Sequence, residues 1–310
     1  MPDRYFIKRT GFINASGTDL IDFINRMSTN DLRKFSENEF RKTVLTTDKG
    51  RIIDLISIFN LKELKFILTS DNFQDKVTAH LDKFIIMDDV ILSKPDSQFY
   101  LIVISGDVLP LSEKLFDIKP ELNKVYELSD YEYLFMDDFK INTLNIICKE
   151  DSLDKYKEIL KDAEEQTCVE YESDRIEAGI PEGEEEFNDN INPMECGLER
   201  YISFNKGCYI GQEVIARLDS QGKLPKQMIK IYSEEPLQRN EKIFLHEGKA
   251  ENKSEEKKEV GFISSTVSKG GDNISLGFIR SVNLNYEKEY FTGSSDDPDK
   301  NVKIKISIIN

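Results

Sequence analysis

The sequence has few cysteines, and their spacing excludes two common uses of this residue. Four occur in 310 residues, and none belongs to a Cys-x-x-Cys pair. A disulfide framework or a self-contained zinc site is therefore not expected. The chain also lacks any apolar run near the roughly 20 residues that span a bilayer, and its start has neither a signal-peptide core nor an amphipathic presequence. We expect a cytoplasmic protein with reduced thiols and no membrane partner.

Positive charge is the second shortage. The chain has 42 lysine and arginine residues against 58 acidic residues, which gives a formal net charge of −16. Because phosphate groups are bound mainly by lysine and arginine, we expect no nucleic-acid partner. Histidine is scarce too, and the two that occur, His80 and His246, each have an ordinary structural interpretation. A Cys–His nucleophile pair is therefore not favoured.

The region before about Gln221 alternates between helical and strand patterns. Its first helix can be capped by Thr18, and its apolar face consists of Leu20, Phe23, Ile24 and Met27. A strand pair and a second helix follow, and the same order then recurs. This pattern predicts tandem ferredoxin-like α+β domains with mainly antiparallel sheets over residues 1–222.

The pattern of predicted secondary structure changes after this region. Short alternating strands without a long helix predict a C-terminal β-barrel over residues 223–310. Within it, the charged and apolar-poor segment Gly248–Glu259 is typical of a loop. Two or three domains also agree with the chain length, because 310 residues exceed a comfortable single core.

The most informative stretch is Lys206-Gly207-Cys208-Tyr209-Ile210-Gly211-Gln212-Glu213. A lysine beside a cysteine can stabilise the thiolate, and flanking glycines permit close backbone approaches. These features predict that Cys208 is reactive or binds a ligand, and that it is the most reactive cysteine. The alternative is a cysteine that only packs, which is how we interpret Cys148, Cys168 and Cys196.

This stretch resembles the signature of the YgfZ family, whose members are related to GcvT, the folate-dependent aminomethyltransferase of glycine cleavage. The similarity extends to Phe23–Asp31, Lys49–Asp54, Arg175–Pro181 and Asn192–Leu198, and more weakly to Gly261–Ser265 and Leu276–Arg280. It implies two ferredoxin-like domains and a β-barrel in a three-lobed arrangement around a folate site. The expected cofactor is tetrahydrofolate or a derivative.

The resemblance also implies roles for individual residues. Glu177 aligns with the glutamate that holds the pterin in GcvT, and a carboxylate suits the donor-rich pterin edge because it only accepts hydrogen bonds. The alternative is an exposed glutamate paired with Arg175. Arg26 and Arg51 are candidates for the anionic folate tail, although both can equally be surface charges. The candidate folate-binding set is completed by Tyr209 and Gln212.

YgfZ-type proteins are associated with folate-dependent maturation or repair of iron–sulfur enzymes. The resemblance therefore implies an accessory protein that acts through Cys208 and Lys206 on iron–sulfur client enzymes or cluster carriers. Cys208 can at most be a transient cluster ligand, since clusters usually take four thiolates, and no resident metal is expected.

The alternative is an aminomethyl- or methyltransferase of the GcvT type, so whether the protein is an enzyme stays open. GcvT uses an aspartate in transfer, and the candidates near the matching region are Asp96 and Asp107. A third possibility is a folate-binding module with a structural cysteine.

Overall fold

The computed structural model describes residues 3–246, 257–293 and 301–309. Two compact units emerge from the backbone contacts. The first comprises Met1–Gln166, Phe187–Pro193 and Leu198–Ala216, and the second comprises Thr167–Glu186, Met194–Gly197 and Arg217–Asn310. Because these segments interleave along the chain, the boundary expected between residues 222 and 223 stays a prediction. Residues 248–256 of the expected loop lie outside the described ranges.

The first unit is an α+β structure with one large sheet. Its strands are β1 (Arg4–Ser16), β2 (Glu39–Thr46), β3 (Ile52–Asn60), β4 (Lys65–Thr69), β5 (Ile91–Ser93), β6 (Phe99–Ser105), β7 (Val125–Ser129), β8 (Glu132–Asp137), β9 (Thr143–Lys149) and β10 (Glu164–Glu165). Its helices are α1 (Leu20–Met27), α2 (Gln74–Asp82), α3 (Val108–Phe116) and α4 (Leu153–Ile159). The sheet order is β2-β3-β4-β1-β6-β9-β8-β7, and β5 and β10 pair with β1.

The long strand β1 joins the two halves of the large sheet, which are β2-β3-β4 on one side and β6-β9-β8-β7 on the other. Its first half, Arg4–Thr10, pairs with β6, and its second half, Gly11–Ala15, pairs with β4. Gly11 lies at the changeover, where an added Cβ would come 2.1 Å from the Thr69 hydroxyl oxygen. The two halves therefore form one continuous sheet.

The second unit is built on a closed barrel. Its strands are β11 (Lys226–Ser233), β12 (Lys242–His246), β13 (Lys257–Lys269), β14 (Asp272–Arg280), β15 (Tyr290–Gly293) and β16 (Val302–Ser307), closed in the order β11-β14-β13-β12-β15-β16. The unit also contains α5 (Cys168–Ala178) and α6 (Gly183–Glu186), and α7 (Gln212–Gln221) runs into it from the first unit. Alternate residues of β11 fill the barrel, with Ile229 and Ile231 fully buried.

The predicted fold class is confirmed: an α+β region is followed by a β-barrel. Two local expectations are wrong. Thr18 does not cap α1, because its hydroxyl donates instead to Asp89 at 2.9 Å and the N-cap position belongs to Asp19. Residues 257–259 of the expected loop begin β13. Among the described residues, every helix is too short or too polar to traverse a lipid bilayer.

Candidate functional site

Lys206 is buried, and its ammonium is bound by the backbone at the end of α1. It donates to the carbonyl oxygens of Asn25, Ser28 and Asn30 at 2.5, 2.9 and 2.5 Å. The last carbonyls of a helix have no partner within the helix, and a cation there also interacts favourably with the helix dipole. Lys206 therefore fixes the cysteine motif to the C-terminus of α1.

The rest of the motif completes the same attachment. The amide of Ile210 donates to the Arg26 carbonyl at 3.2 Å, and the Ile210 carbonyl accepts from the Thr46 hydroxyl at 2.7 Å. Gly211 has φ of +83°, and an added Cβ would lie 2.6 Å from the Thr47 carbonyl oxygen. Only glycine fits this position, because it combines a left-handed backbone with a close approach.

Electrostatics around Lys206 follow from its burial. Burial lowers the pKa of Lys206 to about 8, against the attraction of Asp31. The Tyr209 ring is buried as well, with its centroid 5.3 Å from the ammonium nitrogen, and burial raises the pKa of Tyr209 to about 12. The ammonium is thus occupied by carbonyl oxygens and an aromatic face. The influence of Lys206 on the Cys208 thiolate stays a prediction.

Cys208 is exposed, whereas Lys206 and Tyr209 beside it are buried. Among the other cysteines, Cys148 and Cys196 are buried as expected, and burial raises the pKa of Cys148 to about 12. The expectation for Cys168 is wrong: it is exposed at the start of α5, in a helical turn where the neighbouring Val169 is exposed as well. Two thiols are therefore available from solvent.

The two arginines assigned to the folate tail both have protein partners. Arg26 lies 3.0 Å from Asp22 and 2.5 Å from Asp88, and Arg51 donates to the Asn190 carbonyl at 3.1 Å. The first unit contains most of the candidate site residues, namely Arg26, Arg51, Lys206, Cys208, Tyr209 and Gln212. Roles for Arg26, Arg51, Tyr209 and Gln212 in binding folate stay predictions.

Glu177 belongs to the second unit and lies in the last turn of α5. Its side chain is 56% exposed. Tyr232 donates to its two carboxylate oxygens at 3.1 and 3.2 Å, and the Lys230 ammonium lies 3.3 Å from Oε1. The alternative pairing with Arg175 is not what the structure contains.

Arg175 instead forms a buried network. It donates to Glu172 at 2.8 and 2.6 Å and to the Ser265 hydroxyl at 3.0 Å, and it lies 3.7 Å from Glu186. Ser265 in turn donates to Glu186 at 2.8 Å. Burial lowers the pKa of Arg175, but Glu172 and Glu186 outweigh it and raise the pKa overall. Arg175 therefore ties α5 and α6 to β13.

Asp54 is a chemical group that sequence reasoning missed, although it ends the quoted motif Lys49–Asp54. It lies fully buried on β3, and it accepts from the Ser70 hydroxyl at 2.7 Å and from the Ser70 and Leu55 amides at 2.9 Å. Burial raises the pKa of Asp54 to about 6, against these hydrogen bonds. A carboxyl with a raised pKa is a recognised signal of function. By contrast, the two aspartates considered from sequence, Asp96 and Asp107, are exposed.

No group of three or more histidine, cysteine, aspartate or glutamate residues is arranged to hold a metal ion within the described ranges. The residues present can supply a thiol, carboxylates and hydrogen-bonding side chains. These groups suit an organic ligand and thiol chemistry.

The chain is similar to several known proteins. The family described as GCVT N-terminal domain matches residues 7–150. A protein named tRNA-modifying protein YgfZ, from Blochmanniella pennsylvanica, is 27% identical over 68% of this chain and 65% of its own length. A protein named aminomethyltransferase, from Halalkalibacterium halodurans, is 22% identical over 72% of this chain and 65% of its own length.

A third relative, named putative transferase At1g60990, chloroplastic, from Arabidopsis thaliana, is 23% identical over 87% of this chain. The chain spans 63–65% of the length of these three relatives. The crystal structure of glycine cleavage system aminomethyltransferase T from Bartonella henselae superposes with a TM-score of 0.80 at 15% identity, covering 99% of this chain and 86% of that one. This last likeness concerns the fold alone.

Proposed function

We propose that this chain, which is similar to YgfZ and aminomethyltransferase proteins, is a tetrahydrofolate-binding accessory protein that supports assembly or repair of iron–sulfur enzymes through Cys208. One observation carries the proposal. Lys206, Ile210 and Gly211 attach the cysteine motif to α1 and to the turn after β2, and Cys208 is left exposed. A thiol held this way is available to a partner.

The folate half of the proposal depends on Glu177. Its carboxylate only accepts hydrogen bonds, and its exposed part is open to a ligand whose edge presents N–H donors. These properties fit the pterin edge of a reduced folate, which would bind through Glu177. The bound folate would supply one-carbon chemistry.

The thiol half depends on what a single cysteine can do. A thiolate is both a nucleophile and a metal ligand, but one thiolate cannot hold a cluster by itself. Cys208 would therefore act on a cluster or a damaged thiol that a client enzyme or carrier presents. Direct RNA binding is not part of the proposal, because the net charge of −16 opposes it.

A strain that carries Cys208→Ala tests the thiol half. We expect normal levels of folded protein and reduced activity of iron–sulfur enzymes. The matched control is Cys168→Ala, which removes the other exposed cysteine and should leave those activities unchanged. Full activity with Cys208→Ala would refute this half of the proposal.

Calorimetry with tetrahydrofolate tests the folate half. Loss of the carboxylate in Glu177→Gln should weaken binding by about 1–3 kcal/mol, because a donor on the ligand is left without its partner. The matched control is Glu235→Gln, an exposed glutamate of the same unit. Equal affinities of wild type and Glu177→Gln would remove Glu177 from the site.

The similarity to a protein named aminomethyltransferase favours a second candidate, a folate-dependent aminomethyl- or methyltransferase. The wild type should then transfer an aminomethyl group from aminomethyl-lipoyl protein to tetrahydrofolate, measured as methylenetetrahydrofolate formed. Absence of this transfer in the wild type would eliminate the aminomethyltransferase alternative.

A further inference from the structure

The barrel strand β11 presents two polar side chains on its outer face, at Lys230 and Tyr232. Successive side chains of a strand point to opposite faces, so Ile229 and Ile231 enter the barrel core while Lys230 and Tyr232 point outward. Both outward side chains contact Glu177. The strand pattern thus brings an ammonium and a phenol to one carboxylate.

The contacts restrict the Glu177 carboxylate at two points. The Tyr232 hydroxyl lies 3.1 Å from Oε1 and 3.2 Å from Oε2, so it spans both oxygens. The Lys230 ammonium lies 3.3 Å from Oε1 and donates to the backbone carbonyl of Glu177 at 2.9 Å. An unrestrained surface glutamate has several rotamers, and ordering it on binding has an entropic cost.

We propose that Tyr232 and Lys230 are positioning residues, which hold the Glu177 carboxylate in the orientation that accepts hydrogen bonds from the pterin edge. This inference rests on the proposed folate function. A carboxylate has about four lone-pair sites, and the contacts with Tyr232 and Lys230 leave acceptor capacity on both oxygens. The side chain is also 56% exposed, so a ligand can approach it.

The two positioning residues differ in what else they do. Lys230 also binds a carbonyl in the last turn of α5, where cations stabilise helix ends. Its replacement would therefore disturb the helix as well as the carboxylate. The Tyr232 hydroxyl donates to the carboxylate of Glu177, so Tyr232→Phe removes that contact while the ring stays. Tyr232→Phe is accordingly the informative variant.

A double-mutant cycle measured by calorimetry with tetrahydrofolate tests the inference. Tyr232→Phe should weaken binding about tenfold in the wild-type background and less than about twofold in a Glu177→Gln background, because a positioning residue acts only through the group it positions. The matched control, Tyr286→Phe in the same unit, should bind like the wild type. The midpoint of thermal unfolding of each variant should equal that of the protein from which the variant was made.

A second ligand separates positioning from general loosening of the site. We expect p-aminobenzoylglutamate, which lacks the pterin edge, to bind wild type and Tyr232→Phe equally. Equal tetrahydrofolate affinities of wild type and Tyr232→Phe, or the same loss in both backgrounds, would overturn the inference and leave the folate proposal intact. If the wild type binds no tetrahydrofolate, the folate proposal and this inference fall together.

Discussion

The two units of this protein each contain a cation two residues before a candidate functional side chain. In the first unit Lys206 precedes Cys208, and in the second Arg175 precedes Glu177. Both cations are buried and bound by the protein, whereas Cys208 is exposed and Glu177 is 56% exposed. The comparison teaches that the cation of such a motif can be bound within the protein, while the side chain two positions later stays exposed and available for chemistry.

The two cations are satisfied in different ways. Lys206 is bound by three neutral carbonyl oxygens at the end of α1. Arg175 is bound by Glu172, lies near the fully buried Glu186 and donates to a hydroxyl. Removing Arg175 leaves a buried acid without its counterion, whereas removing Lys206 leaves only polar groups. The expected losses of stability therefore differ.

The largest expected effect comes from Arg175→Met. Breaking a buried ion pair by removing one partner costs about 3–5 kcal/mol, because the remaining charge is uncompensated. We expect a loss of this size in the free energy of unfolding, measured by urea denaturation and circular dichroism. The matched control is Arg239→Met, which removes the half-exposed partner of Glu185 in the same unit and should cost less than about 1 kcal/mol. Similar losses for both variants would break the comparison.

Asp54 extends the comparison to a buried acid, and its effect is visible as a pH dependence. Burial raises its pKa from 3.8 to about 6, so between these values the folded state binds more protons than the unfolded state. The contribution of Asp54 to the unfolding free energy is therefore present below pH 3.8 and falls as the pH rises to 6.

The matching variant is Asp54→Asn, which does not titrate. Relative to wild type, it should gain about 2–3 kcal/mol of stability between pH 4 and pH 7, at about 1.4 kcal/mol for each pKa unit. Other carboxyls, such as Asp31, have lowered pKa values and are present in both proteins, so the difference between the two curves isolates Asp54. A constant difference across this range would contradict the raised pKa.

Lys206→Met should have the next effect. Hydrogen bonds to a charged group contribute about 1.5–3 kcal/mol, and the variant leaves three carbonyls at the end of α1 without their donor. We expect a loss of about 2 kcal/mol in the free energy of unfolding of the first unit. Lys34→Met, an exposed lysine of the same unit, should change it by less than about 0.5 kcal/mol. A stability equal to wild type would show that Lys206 does not hold the motif.

Much of the local structure could be predicted from periodicity. The spacing of Leu20, Phe23 and Met27 predicts α1, which the structure has at Leu20–Met27. The alternation of Val302, Ile304 and Ile306 likewise predicts β16. These signals are local, because each follows from which face of an element is buried. Strand β1 was missed, since its pairing with both β4 and β6 is a long-range feature.

The sequence indicates candidate residues for the site, but it does not indicate which groups they contact in the fold. Lys206 donates to carbonyls 176 to 181 positions away in the sequence. The local sequence indicates only an interaction with the neighbouring Cys208 and cannot indicate these carbonyls. Tyr232 lies 55 positions from Glu177, and alternation could place it outside the barrel without saying what it faces. Asp54 looked like part of a buried strand, and only its isolation from solvent marks it as chemically unusual.

The central claim is that the exposed Cys208 side chain does not contribute to the stability of the fold. Urea unfolding of Cys208→Ala tests this claim most directly. An exposed side chain without a structural role changes the free energy of unfolding by less than about 0.5 kcal/mol. The account predicts a change within this limit, against the loss of about 2 kcal/mol expected for Lys206→Met. A loss for Cys208→Ala as large as that for Lys206→Met would contradict the account, because the thiol would then be part of what holds the motif in place.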